Sequence, residues 1–254
     1  MFQLTQKKAV VTGGGSGIGK AVAIALAARG AYVHIIDYNT AAATETLTEI
    51  TNAGRAGGVH TCDVSKQAEV AEVFNQVGQH DILVNCAGIS HIGKADTTSE
   101  ADFDRVVNVN VKGVYNCLYA AIPQLKKNGG GAIINICSIA AHVGLSDRFA
   151  YSMSKGAVHA MTLSVARDYL ADHIRCNSIS PARVHTPFVD GFIARTYPGK
   201  EAEMFEKLSK SQPIGRMATP AEIAGLVVYL AADEASFITG TDYPIDGGFI
   251  TLNN

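Results

Sequence analysis

The chain has 254 residues, with 21 basic and 23 acidic side chains, a formal net charge of −2 and no basic run longer than two. A chain of this size buries a substantial core as one α/β domain, and its charge gives nothing to draw in a polyanion, so nucleic acid and anionic membrane are excluded as expected partners. The five cysteines, Cys62, Cys86, Cys117, Cys137 and Cys176, are odd in number, form no C-x-x-C pair and sit in apolar stretches, which reads as reduced core thiols in a reducing compartment.

The first residues, MFQLTQKKAVV, lack the apolar segment of a secretory leader. Apolar stretches such as 21–28 fall short of the roughly 18 residues that span a bilayer, so a soluble cytoplasmic protein is expected. KAVVT (8–12) reads as a strand, and GIGKAVAIALAARG, with Ala21, Ile24, Ala25 and Ala28 at helical spacing, as the helix that follows. Between them the glycines occupy a strand-to-helix turn, where bare backbone N–H groups and a helix N-terminus face an incoming pyrophosphate. Gly13 allows the tight turn, and Gly17 and Gly19 allow close approach of ligand and helix.

AYVHIID (31–37) is a second strand, ending in Asp37 near the expected distance of about 20 residues for the acid that takes the adenosine ribose hydroxyls of a dinucleotide. A 2′-phosphate would sit against that carboxylate, and neither Tyr38, Asn39 nor Gly15 before Ser16 offers a cation, so charge repulsion predicts NAD over NADP.

Further along, GGVHTCDV (57–64), DILVNCAG (81–88), GAIINICS (131–138), IRCNSISP (174–181) and DYPIDGG (242–248) read as strands. Helical segments separate them, among them one with Val70, Val73, Phe74 and Val77 and one from Phe103 to about Leu125. Such alternation specifies an α/β doubly wound, Rossmann-type, mostly parallel seven-stranded sheet with helices on both faces, because each parallel crossover needs a helix. No linker or repeat interrupts it, so a single domain over 1–254 is expected, with a substrate loop or lid at about 187–213 marked by Pro187, Pro198, Pro213 and the charged piece GKEAEMFEKLSK.

Two side chains on the predicted helix after the fifth strand, Tyr151 and Lys155, are four residues apart and share a face. Ser138 ends the fifth strand at the carboxyl edge of the sheet, where open α/β proteins bind ligands. A phenol ordinarily titrates near 10, so proton exchange close to neutrality requires a depression of about three units, on the order of 4 kcal/mol, which a nearby ammonium and a cationic nicotinamide can supply.

With TGGGSGIG (12–19), NCAG (85–88), NVNVKG (108–113), Ser138, YSMSK (151–155), SPARVHTP (180–187) and ITGTDYPIDGGF (238–249), the chain resembles the short-chain dehydrogenase/reductases over nearly its whole length. The intervals match as well: 28 residues from Asn110 to Ser138, 13 to Tyr151 and four to Lys155. The resemblance implies that Tyr151 exchanges the proton of the substrate hydroxyl, Ser138 hydrogen-bonds the same oxygen, Lys155 holds the nicotinamide ribose and Asn110 anchors a water in the proton relay. It also implies cofactor contacts from Gly13, Ser16, Gly17, Ile18 and Gly19 at the diphosphate, and from Asp37 at the ribose. Asp63 and Val64 would meet the adenine, Asn85, Ala87 and Gly88 would line the end of the fourth strand with Asn85 mainly structural, and Pro181, Val184 and Thr186 would border the nicotinamide. No metal is needed, and the eight histidines show no ligand-like spacing.

Two departures stand out. Cys86 replaces a second asparagine, and Ala182 replaces a glycine after the proline, where a Cβ would disfavour positive φ. Residues flanking the tetrad, Ser90, His91, His142, Arg148, Arg183, His185 and Phe188, form a polar set that suits a polyhydroxylated or carboxylated substrate and reads equally as surface donors. NAD-dependent oxidation of a sugar, polyol or sugar acid is therefore the expected activity, and the PA-x-V-x-TP variant is similar to that of aldose dehydrogenases. The alternatives are a 3-oxoacyl-carrier-protein reductase and a catalytically silent NAD-binding sensor or scaffold. Members of the family are commonly homotetramers or homodimers, and the helix over 103–125 and the apolar end could serve either an interface or the core.

Overall fold

A computed structural model of the chain describes residues 1–252. Its seven strands are β1 (Lys8–Thr12), β2 (Tyr32–Asp37), β3 (Gly57–Thr61), β4 (Ile82–Asn85), β5 (Gly131–Ile136), β6 (Ile174–Pro181) and β7 (Asp242–Ile245). They form one sheet in the order β3-β2-β1-β4-β5-β6-β7, and every pairing is parallel. The sheet follows from the β-branched runs: with helices on both sides, successive side chains enter two different apolar layers. Ala9 and Val11 face one cluster while Val10 faces the other, and Ile82 and Val84 are split from Leu83 in the same way.

The first layer holds α1 (Gly17–Ala28), α2 (Thr40–Asn52) and α9 (Pro220–Ala231). Small buried residues of α1, Gly19, Ala23 and Ala27, let it lie close to α9. The second layer holds α3 (Gln67–Val77), α5 (Gly113–Lys127) and α6 (Phe149–Asp168), packed through Phe74, Leu118, Leu125 and Val158. Burying each such side chain is worth about 1.5–3 kcal/mol. Strand order reverses at β1, whose neighbours β2 and β4 lead in opposite directions, so a crevice opens at their carboxyl ends. Thr12 closes its floor, the Oγ1 accepting from the backbone N–H groups of Cys86 (3.1 Å) and Ala87 (3.2 Å).

Several boundaries differ from expectation for local reasons. The third strand stops at Thr61, the fourth at Asn85 and the fifth at Ile136, which places Asp63, Val64, Ala87, Gly88 and Ser138 on the loops at the sheet edge. Ser138 is extended (φ −171°) and caps a single 3-10 turn, Ile139–Ala141, its Oγ accepting from Ala140 N at 3.2 Å. The helix expected from Phe103 begins at Glu100 instead, because Ser99 caps it through Asp102 N (3.1 Å). It runs as α4 (Glu100–Val106), a π-helical stretch Val107–Lys112, and α5, so Asn110 lies on a widened turn. The segment expected as a substrate loop folds as α7 (Pro187–Thr196) and α8 (Glu201–Lys210), with Pro198 and Gly199 (φ +79°) between them. Ala182 does not have a positive φ, and its N–H donates to Ile245 O (3.1 Å), prolonging the β6–β7 ladder. None of the described helices is long and apolar enough to cross a membrane.

One buried polar group marks the interior. His34 on β2 is 9 % exposed, its Nδ1 lies 3.0 Å from His60 Nε2 on β3, and Tyr32 packs on its ring. Burial first, and then the neighbouring His60 and Lys8 charges, lower it from an ordinary 6.5 to about 4. The unfolded chain therefore binds the extra proton between those values, so stability due to neutral His34 is fully present above about pH 6.5 and is lost as the pH falls towards 4. In urea unfolding series across that window, His34→Gln is expected to show a shallower fall of the midpoint than the wild type, and an equally steep fall would contradict the assignment.

Candidate active site

The crevice is built to admit backbone-hugging ligand atoms. Gly13 (φ +68°) and Gly17 (φ +52°) adopt the left-handed region. A Cβ on Gly13 would lie 2.8 Å from Ala87 Cα, and one on Gly19 would overlap the carbonyl oxygen of Gly13. Ser16 is the extended N-cap of α1 and makes no side-chain cap bond, and Ile18 packs against the first core layer. Across the turn, Thr186 just before α7 stands 3.4 Å from where a Gly17 Cβ would be. This glycine-lined cradle at a helix N-terminus fits a dinucleotide diphosphate.

Asp37 ends β2 with both oxygens positioned by backbone: Oδ2 accepts from Gly15 N (2.9 Å) and Oδ1 from Asn39 N (2.8 Å). The remaining lone pairs can take ribose hydroxyls, and the Tyr38 side chain beside them is 80 % exposed and uncharged. Asp63 Oδ1 accepts from Ser65 N (2.9 Å), while buried Val64 packs near Gly113 and its carbonyl accepts from Asn116 Nδ2 (2.8 Å). Asn85 is buried and donates to Asn135 Oδ1 (2.8 Å), and Asn135 in turn donates to Thr162 Oγ1 (2.9 Å). That ladder ties β4 to β5 and α6, a structural part in keeping with the role expected of Asn85.

Lys155 is 7 % exposed, and its Nζ donates to the Ile136 carbonyl at the end of β5 (2.8 Å). It stands in none of the ion pairs among the described residues. One helical turn back, the Tyr151 ring lies with its centroid 5.8 Å from that Nζ, within cation–π range. Asn110 is buried; its Oδ1 accepts from Ile89 N (2.8 Å), and its Nδ2 donates to Ile89 O (2.9 Å) and Ser154 Oγ (2.9 Å). Ser154 passes its own proton to Tyr151 O (2.7 Å). The Asn110 side chain is thus mainly a clamp on the loop after β4, with the second lone pair of Oδ1 left for a water. A Cβ on Gly88 would stand 3.3 Å from that Oδ1 and 3.7 Å from Lys155 Nζ. The two polar atoms therefore converge beside a glycine. Helix α6, which carries Tyr151 and Lys155, packs on the 3-10 turn that Ser138 caps.

The two residues that depart from the family pattern, Cys86 and Ala182, both avoid the left-handed region. Burial pushes the Cys86 thiol up to about 12 against the opposing pull of Lys155, so it stays protonated. Cys137 shifts up for the same reason and donates its S–H to Lys155 O.

The flanking polar set divides in space. Arg148 follows Asp147, which takes a left-handed φ of +57°, and the loop pairs with Gly93 through Gly93 N to Asp147 O (3.0 Å) and Phe149 N to Gly93 O (3.1 Å). Arg183 donates through Nε to Ser211 Oγ (3.2 Å), and burial followed by the neighbouring Arg148 guanidinium lower it from its ordinary value. His185 pairs with Asp190 (2.8 Å) and packs on Phe205 of α8, and Phe188 is exposed on α7. His91 lies 4.0 Å from Asp102, and Ser90 is half-buried. His142 turns the other way, its Nε2 meeting Asp242 of β7 and Ser180 of β6. Val184 is buried and bridged to Ala218, and Pro181 ends β6.

Ser154, Asn135, Thr162 and the carbonyls of Ile89 and Ile136 hold the tetrad, and the sequence did not single them out. Ser154 lies inside YSMSK, so its position was visible; a backbone acceptor has no residue signature.

A family model described as enoyl-(acyl carrier protein) reductase matches residues 13–250. The chain is 36% identical over 248 residues to 2-keto-3-deoxy-L-fuconate dehydrogenase of Xanthomonas campestris, covering 97% of this chain and 81% of that protein. It is 39% identical over 252 residues to dehydrogenase/reductase SDR family member 6 of Danio rerio, covering 98% and 99%. Among solved structures, L-sorbose reductase from Gluconobacter frateurii, complexed with NADPH and L-sorbose, matches with a TM-score of 0.94 at 26% identity over 99% of both chains.

Proposed function

The chain belongs to the short-chain dehydrogenase/reductase family, an oxidoreductase acting on alcohol and ketone groups, and from that premise we propose that it oxidises a secondary alcohol of a sugar, polyol or sugar acid with NAD. The observation that carries the reaction is the convergence of Lys155 Nζ, Asn110 Oδ1 and the Tyr151 ring at the carboxyl edge of β4 and β5. When bound, the nicotinamide supplies the acceptor for the hydride that leaves the substrate carbon. The chain's own work is with the proton. Tyr151 accepts the hydroxyl proton as the C–H electron pair departs, and Ser138 hydrogen-bonds the same oxygen and fixes its position. Lys155, held on Ile136 O, places positive charge beside the phenol ring, 5.8 Å from its centroid. Asn110 fixes the loop at Ile89 and leaves a lone pair for a relay water that returns the proton to solvent.

The substrate class rests on two arginines that flank the tetrad in the chain, Arg148 and Arg183. Arg148 and Arg183 influence one another electrostatically, and neither stands in an ion pair among the described residues. Two guanidiniums without a carboxylate suit an acidic substrate group. The Xanthomonas relative is named for a keto-deoxy sugar acid and the solved neighbour for L-sorbose, which supports the same class. That neighbour is complexed with NADPH, so the proposed preference for NAD rests on Asp37.

With a panel of sugars, polyols and sugar acids and NADH absorbance as the readout, Tyr151→Phe is expected to lose about 10²–10⁴ in kcat while still binding NAD. Full activity in that variant would remove Tyr151 as the proton acceptor, and silence of the wild type across the panel would favour a binding protein over an enzyme. For the cofactor, Asp37→Ser is expected to lower the ratio of kcat/KM with NAD to that with NADP by on the order of tenfold or more, as like-charge repulsion of the 2′-phosphate is relieved. An unchanged ratio would count against the carboxylate as the selector.

A further inference from the structure

Outside the cofactor crevice, two orphaned buried atoms lie in one place. Asp242, on the edge strand β7, has a side chain only 8 % exposed. Its Oδ1 accepts from Ser178 Oγ (2.5 Å) and Ser180 Oγ (2.9 Å). Its Oδ2 is buried without a hydrogen-bond partner, although His142 Nε2 stands 2.9 Å away. The imidazole of His159, on α6, meets that of His142 edge to face at 5.1 Å, and its Nδ1 is likewise buried and unpartnered. His159 Nδ1 is such an atom outright, and Asp242 Oδ2 has only the His142 Nε2 contact beside it. The carboxylate oxygen carries lone pairs, His159 Nδ1 carries one in its Nε2–H tautomer, and one ligand atom from each of His142, His159 and Asp242 falls within 4.8 Å of the others.

We propose that His142, His159 and Asp242 form a binding site for a divalent transition-metal ion of the Zn²⁺ class. Two imidazoles and one carboxylate are a nitrogen-rich donor set that suits Zn²⁺ and not the oxygen-seeking Mg²⁺ or Ca²⁺. Bonds of about 2.0–2.1 Å in a tetrahedron set ligand atoms roughly 3.4 Å from one another, so His142 Nε2 and Asp242 Oδ2, now 2.9 Å apart, part slightly while the wider separations within the 4.8 Å cluster close on the ion. His142, 25 % exposed on a loop, supplies both the movement and the access. Ser178 and Ser180 are the second layer, fixing the carboxylate through its other oxygen. A water completes the coordination.

The consequence is mechanical. His142 is four residues after Ser138, and His159 is one helical turn after Lys155. An ion here ties the loop bearing Ser138 and the helix bearing Tyr151 and Lys155 to the last strand. The three ligands come from a loop, a helix and a strand spread over a hundred residues, which is why the spacing of histidines in the chain gives no sign of the site.

Protein stripped with a chelator and titrated with Zn²⁺ is expected to take up a single ion per chain and to gain on the order of 5–10 °C in Tm at about a hundredfold excess over Kd. Mg²⁺ in the same assay should leave Tm unchanged, and Co²⁺ should develop visible ligand-field absorption. His159→Gln and His142→Gln are each expected to weaken Zn²⁺ binding at least about tenfold. His142 is partly exposed, so His142→Gln retains the fold even where the buried substitution does not. No stoichiometric uptake by the folded wild type, or uptake that survives both substitutions, would overturn the site.

Discussion

The arrangement of this molecule turns on one amine. Lys155 is buried at the carboxyl edge of the sheet, where it donates to the Ile136 carbonyl, and among the described residues no carboxylate forms an ion pair with it. A buried cation without a counter-ion is costly to a fold. Its position is held by elements that would otherwise have no reason to meet. The fifth strand ends two residues before Ser138 so that the Ile136 carbonyl is free to turn inward. Helix α6 carries the lysine and the tyrosine on one face, and Gly88 leaves out the Cβ that would press on Asn110 Oδ1 at 3.3 Å. Positive charge is thereby stored beside a phenol and under a glycine-lined crevice, which is where a dinucleotide and an alcohol would meet.

The same economy explains the helix that crosses beneath. A regular α-helix from Glu100 to Lys127 would carry Asn110 past the loop after β4, but the π-helical turn at Val107–Lys112 widens the spiral and lets the amide reach both backbone groups of Ile89. The second Nδ2 proton then ties the helix to α6 through Ser154. Asn110 is thus a structural joint, and its replacement costs the fold these bonds whatever its part in the proposed proton relay. The polar ladder from Asn85 through Asn135 to Thr162 does similar work one layer deeper, holding the strands whose ends form the site.

Much of this was legible in the residues. Alternating β-branched runs and helical apolar stripes specified the doubly wound parallel sheet, and KAVVT and IRCNSISP were bounded correctly because a turn glycine and a proline mark their ends. The glycines at 13, 17 and 19 and Asp37 stand at the crevice where their spacing put them. Strand ends at Thr61, Asn85 and Ile136 were overextended, since apolar residues such as Cys62 and Val64 continue past the last ladder bond to line the edge. Helices α7 and α8 and the π-helical turn follow from tertiary contacts that periodicity does not report. His142 was grouped with the pocket because it follows Ser138 in the chain, whereas the 3-10 turn rotates it towards Asp242.

The central claim is that the chain keeps a buried, carboxylate-free ammonium at the expense of stability because the chemistry requires it. The direct measurement is the urea midpoint and the turnover of Lys155→Met on the same preparation. The account predicts a midpoint at or above that of the wild type, because an apolar side chain of similar length replaces a buried charge, together with loss of turnover. A midpoint clearly below the wild type, or turnover that persists, would show that the lysine serves the fold and not the reaction.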